Sequence, residues 1–419
     1  MSLLAQFKNA PLRTTFRYSA VAGGLAVGAS AAAAAPAVVV DLVKRRNRQL
    51  RKAPRPGTFD SQVEQSQLRV FTDGATLYDH MIEAIDGAEH TVILETYIWK
   101  NDAVGQRFID ALNAAAARGV EVFAMYDGFA NLIIPPAFYA QLAPEVKVTR
   151  VPAVALRFWG ALARNSGLNH SKVMVIDDRI GFVGGYNIGS LYAEHWRDTH
   201  VREIGPAVWG LRNSVVRLWN EMNRPEDAIP WIAPDSWAPD VQVSANMPIQ
   251  LVYPIRDMYL EAIERASRRI WITTAYFIPD QQILQAVLRA AQRGVDVRLM
   301  VPKESNHAIA DWVSRGFYDE LLRAGVTLLL FRTSMIHAKT ATIDGEWSTV
   351  GTANIDRLSL SFNYETNVEI VDPDFAASLE QLFTADSAHC ETLRLPEWLR
   401  RKHAARVAEV ALKPLRSLL

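Results

Sequence analysis

The stretch AAARGVEVFAM at residues 115–125 returns at 290–300 as AAQRGVDVRLM, almost position for position. Each copy closes a longer pattern. Residues 84–99 (AIDGAEHTVILETYIW) read as a helix end running into a buried strand, and 104–127 as a helix followed by a strand. In the latter, Val104, Phe108, Ile109, Leu112 and Ala116 share one helical face, and Gly119 stands at the stop. The same grammar recurs at 262–279 and 282–302. A repeat of this size is a domain rather than a solenoid unit. The sequence therefore predicts an α/β fold of two similar tandem halves packed against each other, each a mixed sheet flanked by helices.

Length and composition agree with this. A chain of 419 residues, 49% hydrophobic, can bury a core in each of two domains. The expected divisions are a basic, Ala-rich leader at 1–55, a first half at 56–235, a second half at 236–395 and a basic amphipathic tail at 396–419.

A second pair of matching segments lies inside the duplication. NHSKVMVIDDRIGFVGGYNIG (169–189) and HAKTATIDGEWSTVGTAN (337–354) both read His, any residue, Lys, four residues, Asp. The first set is His170, Lys172 and Asp177; the second is His337, Lys339 and Asp344. Seven residues past each Asp stands Gly184 or Gly351, and three further Asn187 or Asn354. Asp198 follows His170 by 28 residues, as Glu365 follows His337. One His-x-Lys beside an apolar run suits an ordinary sheet edge, where lysine discourages strand pairing. Five polar offsets kept in two copies do not.

These residue types suit phosphoryl chemistry. In extended chain, residues two apart share a face, so each histidine projects with its lysine. Lys172, Lys339, Asn187 and Asn354 can donate to phosphate oxygens and hold developing charge. One imidazole can attack phosphorus, giving a phosphohistidine, while the other protonates the departing alcohol oxygen. A nucleophilic imidazole must be neutral, and a carboxylate on its other N–H fixes the tautomer; Asp198 and Glu365 are the candidates. Asp177 and Asp344 complete the candidate catalytic set, although their place at the turns DDR and DGE reads as structural support more than chemistry.

Other chemistries find little footing. The single cysteine, Cys390, forms no internal disulfide, and nine histidines lack the spacing of a zinc site, so no metal and no cofactor is expected. Forty-five basic residues balance forty-five acidic ones, which argues against nucleic acid as partner.

The motif pair H-x-K-x4-D-x6-G-x2-N resembles the paired HKD motifs of the phospholipase D superfamily, and the likeness covers about residues 68 to 395. GFVGGYNIGSLYAEHWRDTHVREIGPAV, VGTANIDRLSLSFNYETNVEIVD and YIWKNDAVGQRFIDALNAAAARGV are similar to bacterial cardiolipin synthases and related phosphatidyltransferases. The resemblance implies a bilobal fold with one shared site, a phosphatidyl-enzyme intermediate, no metal, and transfer of a phosphatidyl group to an alcohol. It makes His170 the nucleophile and His337 the general acid. Cardiolipin synthesis from phosphatidylglycerol is the expected activity, with hydrolysis, phosphatidylserine synthesis, a nuclease and a non-catalytic scaffold as rivals.

Three segments bear on lipid. Residues 18–40 are uncharged and long enough to span a bilayer, with the larger basic cluster following, which predicts one anchor in the inner membrane and a cytoplasmic catalytic part. A cleaved signal peptide or a loose leader are the other readings of a stretch so rich in alanine. The resemblance departs here, since some cardiolipin synthases carry two strong spanning helices, and a short-form or peripheral enzyme at the bacterial membrane surface fits better. NLIIPPAFYAQLAP (131–144) and ALRFWGALA (155–163) could take acyl chains or dip into the interface, or be core beneath a loop. The tail reads either as a basic amphipathic helix for anionic lipid or as a solvated helix packed on the second half.

Overall fold

The computed structural model describes residues 38–41, 45, 50–152, 167–234 and 236–417. Most of the apolar stretch 18–40 and the whole of 155–163 lie outside the described residues.

In the first half the chain runs β1 (Thr58–Val63), β2 (Ser66–Phe71), α1 (Gly74–Asp86), β3 (Thr91–Thr96), α2 (Ala103–Ala117), β4 (Glu121–Asp127), β5 (Lys147–Val151), β6 (Val173–Ile176), β7 (Ile180–Gly184), β8 (His200–Ile204) and α3 (Val208–Met222). The second half follows with β9 (Val241–Asn246), α4 (Pro254–Arg265), β10 (Arg269–Thr273), α5 (Gln281–Gln292), β11 (Asp296–Pro302), α6 (Ala308–Arg315), α7 (Tyr318–Arg323), β12 (Thr327–Phe331), β13 (Thr340–Ile343), β14 (Trp347–Gly351), β15 (Glu365–Val371), α8 (Pro373–Ser387) and β16 (Cys390–Leu393).

The described residues form two eight-stranded sheets, ordered β1-β2-β8-β7-β6-β3-β4-β5 and β9-β15-β14-β13-β10-β11-β12-β16. Seven strands correspond one to one; the eighth is added at opposite edges. In both sheets the β-α-β stretch makes the parallel part (β3-β4-β5 and β10-β11-β12), and the motif strands pair antiparallel beside it. Parallel neighbours need a crossover, and the helices α2 and α5 supply it.

Local chemistry explains why the helices start and stop where the repeat says. Asp102 caps α2 by accepting from Gly105 N, and Asp280 caps α5 by accepting from Gln282 N and Ile283 N. After each helix a glycine, Gly119 or Gly294, takes φ of +89°, a left-handed turn that an L side chain resists. Phe108, Ile109, Leu112 and Ala116 bury their face against the first sheet as expected, with Val104 at its partly covered rim.

The basic tail is tied down. Helices Leu395–Leu399 and His403–Ala411 bring Trp398, Ala408 and Leu412 into the second half's core. Buried Glu409 collects Arg401 (2.9 Å) and Arg315 (3.2 Å), and the Arg416 guanidinium lies over Phe317. Arg401 and Arg416, two of the tail's basic residues, are thus used within the fold. Among the described residues, no helix is long and apolar enough to cross a membrane.

Candidate active site

Both histidine–lysine pairs lie on extended chain leading into the central antiparallel strands, β6 and β13, where the two halves meet. Two short ladders stitch the halves together there. Asn169 pairs with Tyr364, and Trp196–Arg197 pairs in parallel with Met335–Ile336. The motif offset is 337 − 170 = 167, and the Ile336–Arg197 pairing is the Asn169–Tyr364 pairing with each partner moved by that offset (336 − 169 and 364 − 197). The backbone N–H of His170 donates to Tyr364 O (3.0 Å), and that of His337 to Arg197 O (2.7 Å). A pseudo-twofold therefore runs between the histidines.

Because of it, the carboxylates cross over. His170 Nδ1 lies 2.9 and 3.0 Å from the two oxygens of Glu365, and His337 Nδ1 lies 2.6 Å from Asp198 Oδ2. Each half's imidazole is held by the other half's acid. The two carboxylates are themselves positioned differently. Asp198 Oδ1 accepts from Thr199 N at 2.8 Å and lies where a side chain on Gly185 would sit, its Cβ only 2.0 Å from that oxygen. Glu365 instead accepts from the Thr352 hydroxyl, and Thr352 occupies the place of Gly185. A shorter acid opposite glycine and a longer acid supported by a threonine reach the same imidazole nitrogen.

Lys172 and Lys339 are buried beside the histidines, each only 1–2% exposed. Their Nζ atoms donate to the carbonyls of His170 and His337, and Lys339 Nζ stands 2.8 Å from His337 Nδ1. The 2.6 Å carboxylate contact assigns the Nδ1 proton of His337 to Asp198. Two ammonium groups out of water are costly unless countered, and Asp198 and Glu365 supply that charge to both.

Burial dominates the ionisation of the site. It lowers His170 to about 4 against the pull of Glu365, and lowers His337 well below its ordinary value with the fields of Lys339, Lys172 and His170 acting the same way. Burial likewise brings Lys172 down to about 7 and Lys339 to about 8, and raises Asp198 to about 6 against the pull of Lys339. Both imidazoles of the free site are neutral at neutral pH, each with Nε2 left free of its carboxylate.

Asn187 and Asn354 follow into the buried shell, at 2% and 3% exposure. Asn187 Oδ1 accepts from Ile98 N (3.1 Å), while Asn354 Oδ1 is a buried acceptor without a partner among the described residues.

Asp177 and Asp344, also among the catalytic candidates, stand apart from the imidazoles. Asp177 accepts from the backbone N–H groups of Glu89, His90 and Thr91 (2.8–2.9 Å), and Asp344 from those of Ser267, Arg268 and Arg269 (2.7–2.8 Å). Both sit in left-handed turns, φ 50° and 57°, at the far end of β6 and β13 from the histidines. At about 3.3 Å per residue, seven residues of extended chain put them roughly 20 Å away. They pin the turn that begins β3 or β10, holding the central strands in register.

Sequence reasoning missed the aromatic rings. Tyr97 stands edge-on to His170 (centroids 4.7 Å) and under Lys172 Nζ (5.1 Å), and Trp196 lies 4.7 Å from His337. It also missed Arg197, fully buried and paired with Asp386 across the halves at 2.8 and 3.0 Å. Both Trp196 and Arg197 adjoin Asp198 in the HWRDTH stretch, but no periodicity marks them.

The chain is similar to proteins already known. A family model described as "Cardiolipin synthase, PLD-like domain" matches residues 81–203 and 259–387. The cardiolipin synthase A of Pseudomonas putida strain W619 is 34% identical over 347 residues, 80% of this chain and 71% of that protein. The major cardiolipin synthase of Bacillus subtilis is 32% identical over 367 residues, 82% and 74% of the two chains. Among solved structures, the phosphatidylserine synthase of Haemophilus influenzae superposes with a TM-score of 0.63 over 90% of this chain and 96% of its own, at 15% identity, a likeness of fold. With the family model matching both segments, each holding one motif histidine and its lysine, and relatives about a third identical over four fifths of its length, this chain belongs to the cardiolipin synthase family of phospholipase D-like proteins.

Proposed function

We propose that the protein is a phosphatidyltransferase that makes cardiolipin from phosphatidylglycerol through a phosphohistidine, with His170 as nucleophile. The observation that carries this reading is the crossed pair of imidazoles, each with Nδ1 directed at a buried carboxylate, while burial favours the neutral ring. Such an imidazole presents Nε2 as a lone pair, as an attack on phosphorus requires.

His170 Nε2 attacks the phosphodiester of one phosphatidylglycerol, and the P–O bond to glycerol breaks. Lys172, Lys339 and the amides of Asn187 and Asn354 hold the phosphoryl oxygens as charge gathers on them. The departing glycerol oxygen takes a proton from His337. In the free site that imidazole is neutral, and the anionic phosphodiester raises its proton affinity once bound, with Asp198 stabilising the cation. The hydroxyl of a second phosphatidylglycerol then gives its proton to His337 and attacks the phosphohistidine, restoring His170. Water arriving in its place gives hydrolysis, so exclusion of water decides between the two outcomes.

A phospholipid substrate places the enzyme at a membrane, and we assign it to the inner membrane with its catalytic part on the cytoplasmic side. The test uses purified protein and labelled phosphatidylglycerol in detergent, with products separated by chromatography. Cardiolipin and glycerol are expected from the wild type and neither from His170→Ala. Products that persist unchanged in the variant would remove the mechanism, and phosphatidic acid as sole product would replace transfer with hydrolysis.

A further inference from the structure

The turn after β4 is built inside out. In water a loop exposes its polar side chains and covers its apolar ones; here Asp127 and Asn131 are 1% and 2% exposed, while Phe129, Leu132 and Ile133 are 52%, 59% and 81% exposed. The buried pair uses its hydrogen bonds to freeze the turn. Asp127 accepts from Phe129 N and Ala130 N (2.8 and 2.7 Å), and Asn131 donates to Asp127 O and Tyr97 O (both 2.7 Å) while accepting from Trp99 N (2.9 Å). Exposure of the three apolar side chains is therefore imposed by the turn's own bonding.

The turn is also fastened to the candidate site. Asp127 Oδ2 accepts from the backbone N–H of Asn169, the residue before His170, at 2.8 Å. Asn131 holds the carbonyl of Tyr97, whose ring lies against the His170 imidazole. Beside the apolar tips, exposed Arg150 donates to Gly128 O (3.1 Å), so a cation stands at the base of the lip. The second half has a different turn at the matching place: after β11 the chain reads KESNH (303–307), with the polar composition ordinary for water.

We propose that the turn at 128–134 is a membrane-docking lip, whose Phe129, Leu132 and Ile133 enter the interfacial region of a phospholipid bilayer and set the distance from that surface to His170. Three exposed apolar side chains within five residues, beside a cation, match an acyl boundary overlaid by anionic headgroups. Because the turn is already ordered, docking costs little conformational entropy. This inference rests on the phospholipid reading of the site, which it deepens.

The test attaches an environment-sensitive fluorophore to the full chain through Ile133→Cys in a Cys390→Ser background. A second protein carries it through Gln65→Cys, in the exposed β1–β2 turn at the opposite edge of the first sheet. Both also carry His170→Ala, so the reading is independent of turnover and survives or fails apart from the activity assay. With vesicles of phosphatidylglycerol and phosphatidylcholine, emission from position 133 should shift to the blue and that from 65 should stay. Leu132→Ser with Ile133→Ser in the otherwise native chain should weaken vesicle partitioning on the order of tenfold or more, with the melting temperature unchanged because neither side chain is packed. A label at 133 that remains in water while the protein is vesicle-bound, absence of vesicle binding, or full binding by the double variant would each overturn the proposal.

Discussion

Glu365 lies 195 residues from His170 along the chain and 2.9 Å from it in space, and its counterpart Asp198 makes the reciprocal bond to His337 across the same pseudo-twofold. Each motif histidine takes its carboxylate from the opposite half. This makes the contact between the halves a condition of the chemistry.

Replacing either acid by its amide keeps the shape and removes the charge that orients the imidazole. Glu365→Gln and Asp198→Asn should each lower kcat by about 100-fold or more, with KM little changed. Steady-state assays with labelled phosphatidylglycerol, beside a thermal melt to show an intact fold, check this. A variant retaining more than a third of wild-type kcat would take the orienting role away from that carboxylate.

Asp177→Asn and Asp344→Asn should divide stability from activity. Each carboxylate accepts three backbone N–H bonds, and a bond to a charged group contributes about 1.5–3 kcal/mol. Partial exposure of both sites favours the lower end. Denaturant unfolding should show a loss of about 1–3 kcal/mol, while activity per folded molecule stays within about twofold. A drop in activity as large as that of His170→Ala, in protein that is still folded, would return these residues to the catalytic set.

The pH profile of kcat/KM should be bell-shaped. Asp198 works ionised and is raised to about 6 by burial, so activity climbs through that region from the acid side. Lys172 and Lys339 work protonated and are lowered by burial to about 7 and about 8, and His337, held neutral in the free site, must gain a proton to act as acid, so activity falls as pH rises. His170, held down to about 4, is neutral across the window and adds no limb. A flat profile from pH 5 to 9 would show that none of these groups titrates in the free enzyme as its surroundings dictate.

The Arg197–Asp386 pair locks the halves where His337 receives its backbone contact, and both side chains are at most 3% exposed. Asp386→Ala leaves a buried guanidinium without its acid and should destabilise the protein by about 3–5 kcal/mol. Asp386→Ala with Arg197→Met should recover much of that loss. Denaturant midpoints for the single and double variants decide it, and an unaffected single variant would remove the lock.

Much of the fold could be read in the sequence. Strand and helix periods are local properties, and the stops at Gly119 and Gly294 need only a left-handed residue after an amphipathic run, so the β-α-β units appear without any knowledge of packing. The site was legible for a different reason: duplication repeats the same polar residues at the same offsets, and His170, Lys172, Asn187 and Asp198 stood out beside their copies. Matching offsets could not separate chemistry from scaffolding, since Asp177 and Asp344 repeat as faithfully as the histidines do. Direction sets the two aspartates apart. They lie at the opposite end of their strands, bonded to the turns before β3 and β10.

What the chain alone determined is therefore the repeat, the two similar α/β units and the residues that a phosphoryl site could draw on. Only tertiary structure decided which acid serves which imidazole, which rings flank them, and that the turn at 128–134 faces outward with its apolar side chains. Offsets within one half are set by local backbone geometry, whereas the partner of His170 is set by how two sheets dock about a pseudo-twofold, and that relation has no signature in either half by itself.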